Sequence, residues 1–355
     1  MGGLDVKKKK IFKGVICGVI VLLLLVVGGG VFAAKYYYSK LTTTEKLNHE
    51  EVGVNDSLTD KEKEAQVVNI AILGIDQDGD GSNGRSDATK VLSLDMKNKK
   101  VKLSSFQRDT MIFIPDGENG FDKLNHAYWY GEAPLTLKTL NYNFDLDITR
   151  YVAFNFNAIE KIIDTVGGVE IDVRPEEKKV TNDYIRSMNG ASDDDVDAPE
   201  LQESGLQLLS GRQAMGYMRN RYAEGGDFGR MERQSKVMEA VIAKVGDQSY
   251  LELVKLAEEC LPYVETNLTM KEIIDYGSAV LGFDLKNIEQ TQVPQPDNGS
   301  KSVDYKGYSP FYIMKSYQDL VKDVHEFIYD DSSYQPSQTV IETEAAIYEQ
   351  FGRVE

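Results

Sequence analysis

The sequence is poor in the residues from which many catalytic and metal sites are built. Its 355 residues include two cysteines, Cys17 and Cys260, and three histidines, His49, His126 and His325. Cys17 lies in an apolar run and Cys260 in a helical pattern, so neither a disulfide framework nor a cysteine metal site is expected. The histidines are far apart in the chain, which speaks against a His-rich zinc site. There is no Gly-x-Ser-x-Gly elbow, no Walker loop and no Cys/His pair, so no nucleophile motif is present. Excess positive charge is missing as well. The formal net charge is −17, which argues against nucleic acid as a partner and makes the few dense arginine clusters stand out. No internal repeat is found.

One thing the N-terminus does have is apolar length. Lys7 to Lys10 and Lys13 precede residues 14–34, "GVICGVIVLLLLVVGGGVFAA", an uncharged run of about 21 residues, the length a bilayer requires. Lysines on the near side predict a cytoplasmic N-terminus with the rest of the chain outside. Tyr36, Tyr37 and Tyr38 suit the outer interface. A cleaved signal peptide is the alternative, with Val31-Phe32-Ala33 as a faint cleavage site, but its apolar core is usually only ~7–15 residues. The expected organisation is a basic segment 1–13, a single-pass transmembrane anchor 14–34, a polar stalk 35–66, one domain 67–330 and an acidic tail 331–355.

Order begins at "VVNIAILGI" (67–75), a nearly continuous apolar run that suits a buried central strand. Residues 91–106 alternate on either side of a Lys-Asn-Lys-Lys turn and predict a hairpin, and 111–115 predicts a short strand. A helix is expected near 134–143. Over 151–173 a strand runs into Asn157 and Glu160, a capping-box-like start. Ile159, Ile162, Ile163 and Val166 then share a helical face, Gly167-Gly168 ends it, and a strand follows. A strand–helix–strand unit of this kind places the fold in the α/β class. Residues 178–204, with "SDDDVDAPE", read as an acidic loop insertion. Helices are expected at 211–217, 228–245, 250–263, 270–281 and 311–328, and a strand near 288–293.

Four segments carry chemistry. "DQDGDGSNGRSD" (76–87) has nearly the spacing of a calcium loop. It follows a strand pattern rather than a helix, however, and Asn83 stands where such loops place an apolar residue. Arg85 would put a cation inside a cation site. Asp76 instead falls at the carboxyl end of a central strand, where open α/β sheets bind ligands. "SSFQRDT" (104–110) sets Arg108 and Asp109 between two strands, where an exposed ion pair is the plain alternative. In "GYMRNRYAEGGDFGRMERQ" (216–234), Arg219 and Arg221 share a face if the backbone is extended. Asp227 then caps a helix carrying Arg230 and Gln234, whose polar end suits an anion. Paired guanidinium groups bind phosphate oxygens bidentately. Arg233 belongs either there or to a salt-bridged surface. "FDKLNHAYWYG" (121–131) places Lys123 and Asn125 in a loop beside aromatic residues, with Trp129 either core packing or a sugar platform. Carboxylates for a metal and arginines for phosphate together fit phosphoryl transfer by positioning and charge neutralisation.

The order of these motifs resembles the LytR–CpsA–Psr family of Gram-positive cell-wall proteins. The resemblance is carried by "NIAILGID", "GRSD", "QRDTMIFIP", "DKLNHAY", "VAFNFNAIEKIIDTVGGVEIDV", "LLSGRQAMGYMRNR" and "GDFGRMERQ", in family order across about 67–245. It implies a mixed central β-sheet flanked by helices, with an apolar tunnel for a polyprenyl chain. It also implies a membrane-anchored transferase with its domain outside the cell membrane. Such an enzyme moves a glycopolymer (teichoic acid, capsular or secondary wall polysaccharide) from undecaprenyl pyrophosphate to a peptidoglycan hydroxyl, forming a phosphodiester. Asp76 and Asp87 match the family's Mg²⁺ carboxylates, with Mn²⁺ as a substitute ion. Arg85, Arg108, Lys123, Arg219, Arg221, Arg230 and Gln234 match pyrophosphate contacts, and Asn125 accompanies Lys123 in the same motif. Asp109 matches the residue that orients Arg108, and Asp227 an acidic position at the mouth of the site. This chain departs from the usual pattern at Gln107, where proline is common, at Asp78, where a basic residue is common, and at Thr89, one residue late.

Two other readings stay open on the sequence. The same site with water as acceptor would make a polyprenyl-pyrophosphate pyrophosphatase. A non-catalytic, calcium-dependent wall-binding scaffold would use 76–87 and the run Asp193–Asp195 as ion sites.

Overall fold

The computed structural model describes residues 35–54, 66–76, 84–116, 120–155, 157–189, 197–220, 233, 236–237, 240–241, 244, 250–283, 288–295 and 299–354. The expected anchor 14–34, the loop 77–83, the run Asp193–Asp195, Arg221, Asp227, Arg230 and Gln234 lie outside these residues. Among the described residues no helix is long and apolar enough to cross a membrane. By its contacts the chain divides into two compact units, one of Leu41–Asn155 with Val264–Glu355, the other of Phe156–Tyr263 with the chain up to Lys40.

The first unit is built on a mixed seven-stranded sheet. Its strands are β1 (Thr42–Thr43), β2 (Val67–Asp76), β3 (Arg85–Asp95), β4 (Lys100–Phe106), β7 (Arg150–Asn155), β10 (Val264–Thr266) and β11 (Glu289–Val293), in the order β1-β10-β7-β2-β3-β4-β11. β2, β3 and β4 form an antiparallel meander, β7 runs parallel to β2, and β11 runs parallel to β4. The apolar run of β2 explains its central place, since Ile70 to Leu73 are almost wholly buried on both faces. Asp95 closes the predicted hairpin by accepting the Asn98 backbone N–H at 2.7 Å and its side-chain amide at 2.8 Å.

The register breaks at one point that matters for the site. Gly74 pairs with Ala88 but Ile75 pairs with Ser86, so Asp87 is an extra residue in β3. A bulge of this kind bends the strand and re-aims a side chain. Gly74 eases the close approach there, since a Cβ on it would lie 3.0 Å from the Cβ of Ala88.

Helix α1 (His126–Phe144) covers one face of the sheet with α7 (Tyr317–Tyr329) and α8 (Gln338–Phe351). α1 breaks at Gly131–Glu132, just ahead of Pro134, whose missing N–H cannot continue a helix. α8 lies in the stretch read as an acidic tail, yet Val340 and Ile347 are buried in the same core. Val52 and Val54, from the polar segment before β2, are buried there too. Helix α6 (Met270–Val280) opens on the predicted capping box, Thr269 with Glu272.

Two small hairpins complete this unit, β5 (Met111–Ile114) with β6 (Gly120–Lys123) and β12 (Ser300–Tyr305) with β13 (Tyr308–Met314). The second corrects the helix expected from 311, which starts only at Tyr317. Lys306 and Gly307 both have positive φ, the two-residue turn that matches strand twist, and Phe311 and Ile313 alternate into the core.

In the second unit, α2 (Asn157–Thr165), β8 (Val169–Val173), α3 (Pro175–Asn189), β9 (Gly205–Leu209), α4 (Gly211–Arg219) and α5 (Tyr250–Cys260) follow in turn. β8 pairs with β9, not with β7, so the strand–helix–strand segment does not close within one sheet. The reason is in its pattern, with Val169, Ile171 and Val173 buried and Glu170 and Asp172 exposed, a half-covered strand. Residues 178–189 of the expected insertion are helical in α3, which starts on proline followed by two glutamates, a favourable first turn. α4 packs on α2 so closely that a Cβ at Gly211 would sit 2.2 Å from the Glu160 carbonyl oxygen.

Arg233 is the largest fully buried side chain among the described residues, so of its two readings the salt-bridged surface does not hold. It donates to Glu177 Oε1 at 3.2 Å and to the Asn220 carbonyl at 2.6 Å. Glu177 also accepts from Arg174 at 2.7 Å and from the Tyr217 hydroxyl at 3.2 Å. Burial works against the charge of Glu177, but the hydrogen bonds from Arg174 and Arg233 outweigh it and hold the carboxyl below its ordinary value of 4.5. A carboxyl held low contributes stability above that ordinary value and loses it as the pH falls. The melting temperature of the protein is therefore expected to drop steadily below about pH 4.5. A flat profile from pH 5 to 3 would show that Glu177 keeps the same pKa on unfolding.

Candidate functional site

Seven of the expected site residues, Asp76, Arg85, Asp87, Arg108, Asp109, Lys123 and Asn125, meet at the carboxyl end of β2, in the first unit. Asp76 ends β2 and pairs in register with Arg85, the first residue of β3. The side chain of Asp76 lies outside the described part. Two residues along β3, the bulged Asp87 accepts from Arg108 Nη1 at 2.7 Å through Oδ2 and from Asn125 Nδ2 at 3.0 Å through Oδ1. Arg108 Nε also donates to Asp109 Oδ2 at 3.2 Å, and Lys123 Nζ donates to Asp109 Oδ1 at 2.8 Å. Carboxylates and cations thus alternate in one chain, Asp87–Arg108–Asp109–Lys123. The side chains of Asp87, Arg108, Asp109 and Lys123 are 10, 16, 7 and 10% exposed, so the plain alternative of an exposed Arg-Asp pair does not hold.

Backbone geometry explains why these residues converge. Arg108 and Asp109 occupy the turn between β4 and β5, which Gln107 holds together. Its Oε1 accepts the Asp109 N–H at 3.0 Å and the Thr110 hydroxyl at 3.2 Å, and its own N–H donates to the Val293 carbonyl at 2.8 Å. From the far side, the Tyr312 N–H of β13 donates to the Asp109 carbonyl at 2.9 Å. Lys123 is the last residue of β6, and its ammonium also lies 4.9 Å from the Phe311 ring centre. Asn125 precedes the first residue of α1 without a side-chain capping bond, and Trp129 stands four residues on, so both reach β3 from one helix face. Replacing Gln107 by alanine leaves two donors without an acceptor, one of them on the buried Asp109. Stability is expected to fall by about 1–3 kcal/mol, with faster deuterium exchange at the Asp109 amide. An unchanged exchange rate would show that the turn is held by other contacts.

Arg85 differs from Arg108. Among the described residues no carboxylate lies within ion-pair distance of it, and its Nε is buried with no hydrogen-bond partner. Its guanidinium carbon lies 5.2 Å from the Trp129 ring centre. A half-buried cation without a counter-charge is a ready seat for an anion. Asn125 Oδ1 is likewise buried and unpaired, an acceptor beside Asp87.

Behind these residues is a network that sequence reasoning missed. The buried Asp122 accepts from the Tyr130 hydroxyl at 2.7 Å and the Lys123 N–H at 2.8 Å, while His126 Nδ1 lies 2.8 Å from it and Lys306 Nζ 3.4 Å. Burial opposes its charge, yet His126 and Tyr130 hold its carboxyl well below the usual range. The signal was Asp122 four residues before His126, a spacing too common to single out. Trp129 is 38% exposed, so of its two expected readings core packing is the one that fails.

Arg219 ends α4 in the second unit. It is helical, whereas an extended backbone was expected there, because the helix continues through buried Met218 and stops at Asn220.

The donor set bears on which ion the site suits. Each oxygen of Asp87 holds one hydrogen bond and retains a lone pair, and Asp76 stands on the adjacent strand. No group of three histidine, cysteine, aspartate or glutamate side chains gathers among the described residues. Oxygen donors in so small a number suit a hard cation that completes its shell with water and phosphate, as Mg²⁺ does.

Known proteins are similar to this chain in sequence and in fold. The curated relative described as polyisoprenyl-teichoic acid–peptidoglycan teichoic acid transferase TagU of Enterococcus faecalis is 35% identical over 221 residues, covering 59% of this chain and 66% of that one. TagU of Bacillus cereus is 32% identical over 255 residues, covering 70% of this chain and 76% of that one. The chain thus spans about two thirds to three quarters of these relatives' lengths. A crystal structure of a protein described as a transcriptional regulator from Enterococcus faecalis has the same fold, with a TM-score of 0.51 at 24% identity over 82% of this chain and 97% of that one. The model of the LytR_cpsA_psr family matches residues 32–321, and the chain belongs to the LytR–CpsA–Psr family.

Proposed function

We propose that the protein is a membrane-anchored phosphotransferase that moves a glycopolymer from undecaprenyl pyrophosphate to peptidoglycan. The observation that carries this reading is Arg85, a half-buried cation with no counter-carboxylate among the described residues, beside the Asp87–Arg108–Asp109–Lys123 chain. Such a site favours a diphosphate over a neutral ligand. Its relatives named as teichoic acid transferases support teichoic acid as the polymer class.

In this reading Arg85 grips the diphosphate, and Arg108 and Lys123, braced by Asp109, face the charge that grows on the leaving lipid phosphate. A peptidoglycan hydroxyl attacks the phosphorus next to the polymer's sugar. The new P–O bond makes the phosphodiester, the P–O–P bridge breaks, and undecaprenyl phosphate leaves with the bridging oxygen. The hydroxyl proton passes to a carboxylate or to solvent. Asp76 and Asp87 would hold Mg²⁺, or Mn²⁺ in its place, which supplies charge neutralisation at the phosphate oxygens. The anchor at 14–34 and the lysines before it support a single-pass protein in the cell membrane with both units outside.

The test is incubation of the full chain in detergent with lipid-linked glycopolymer, Mg²⁺ and peptidoglycan. Covalent attachment is expected, and release of polyprenyl phosphate should require peptidoglycan. Release at the same rate without it would make the protein a pyrophosphatase. No release at all, together with calcium-dependent folding, would return the wall-binding scaffold.

A further inference from the structure

Among the described residues no carboxylate compensates Arg85, which raises the question of what holds it in place. Arg108 is fixed by two carboxylates, at 2.7 and 3.2 Å. Arg85 has none among the described residues, and its aromatic neighbour is Trp129, with the guanidinium carbon 5.2 Å from the ring centre. The ring is itself fixed. Tyr130 stacks on it at 5.3 Å with an interplanar angle of 29°, and His126 meets it edge-on at 6.0 Å. Tyr130 and His126 are in turn tied to the two oxygens of buried Asp122, at 2.7 and 2.8 Å. The carboxylate of this assembly is thus one layer removed from the arginine, with an aromatic face between them.

This arrangement has a chemical consequence. A carboxylate beside Arg85 would orient it but would also cancel its charge and compete with an incoming anion. An indole face attracts a guanidinium through its quadrupole, without a formal negative charge. It can therefore orient the group and leave its full charge and its N–H donors to the ligand. We infer that Trp129 is a positioning residue for diphosphate binding, a neutral aromatic support that holds Arg85 ready while Asp122 keeps that support rigid. This rests on the reading of Arg85 as a diphosphate contact.

Trp129 is the only tryptophan of the chain, so it reports on its own role. Titrating the full-length protein in detergent with farnesyl pyrophosphate and Mg²⁺ is expected to change Trp129 emission saturably, and Arg85→Ala to abolish that change. By calorimetry, Trp129→Leu is expected to weaken farnesyl pyrophosphate binding about 3- to 30-fold, the range of a cation–π contact. Trp129→Phe should recover most of that loss. In an Arg85→Ala background, Trp129→Leu should have no further effect. An equal loss in both backgrounds would show a merely structural residue, and no loss in the wild-type background would also overturn the inference. If Trp129→Leu does not fold, Arg85→Lys serves instead. It keeps the charge and gives up the planar stack, so unchanged affinity and emission would overturn the inference too. Unchanged binding on Arg85→Ala would instead remove the diphosphate reading while leaving the Arg85–Trp129 contact intact.

Discussion

Arg108→Ala is expected to lower the rate of polymer attachment by on the order of 10²–10³, the usual cost of losing one charge-stabilising donor at a reacting centre. The structure gives a second reason for a large effect. Arg108 is the only described cation that bridges Asp87 and Asp109, and both carboxylates are nearly buried. Without it, Asp87 keeps Asn125 and Asp109 keeps Lys123, and no side chain among the described residues bridges the two carboxylates. Two close, poorly compensated carboxylates would also repel the diphosphate. Arg108→Lys should fall between wild type and alanine, because an ammonium cannot donate to both carboxylates in the same fork. The measurement is attachment of labelled glycopolymer to peptidoglycan under single-turnover conditions. Wild-type rates in Arg108→Ala would remove the site from the chemistry.

Glu177→Ala should be the most destabilising of the changes considered, by about 3–5 kcal/mol, because it leaves a buried guanidinium uncompensated. Glu177 and Arg233 are both fully buried, 3.2 Å apart, and Arg233 has no other carboxylate partner among the described residues. For a unit of this size such a loss corresponds to a fall of roughly 10 °C in melting temperature. Glu177→Leu combined with Arg233→Met should recover much of the loss, since a buried ion pair replaced whole by apolar groups is often neutral. Thermal melting of the three forms checks both statements. A single alanine variant that melts within about a degree of wild type would mean that water reaches Arg233.

Much of the fold was legible because it depends on near neighbours. The hairpin at 91–106, the capping box of Thr269 and Glu272 and the central strand at 67–75 each follow from patterns a few residues long. The hairpin at 300–314 was misread as helix from 311 because its tight turn, Lys306-Gly307, carries little signal. Helix α3 was hidden by its charge, since the glutamate that anchors it is buried against partners that include Tyr217 and Arg233, the latter 56 residues away.

The site divides in the same way. Sequence alone determined the α/β class, put Asp76 at a strand end and placed Arg108 and Asp109 between two strands. It also supplied the ordered motifs that mark the family. Only the tertiary structure decided that Asp87 is pushed out by a bulge, that Lys123 reaches Asp109 from another hairpin and that Gln107 ties the turn. It also decided that Arg85 lies over Trp129, with no carboxylate among the described residues paired to it. Local propensities act over a turn of helix or a pair of strand residues, whereas charge compensation depends on which side chains packing brings within a few ångströms. Which arginine stays uncompensated, and so available to a ligand, is therefore a property of the folded chain.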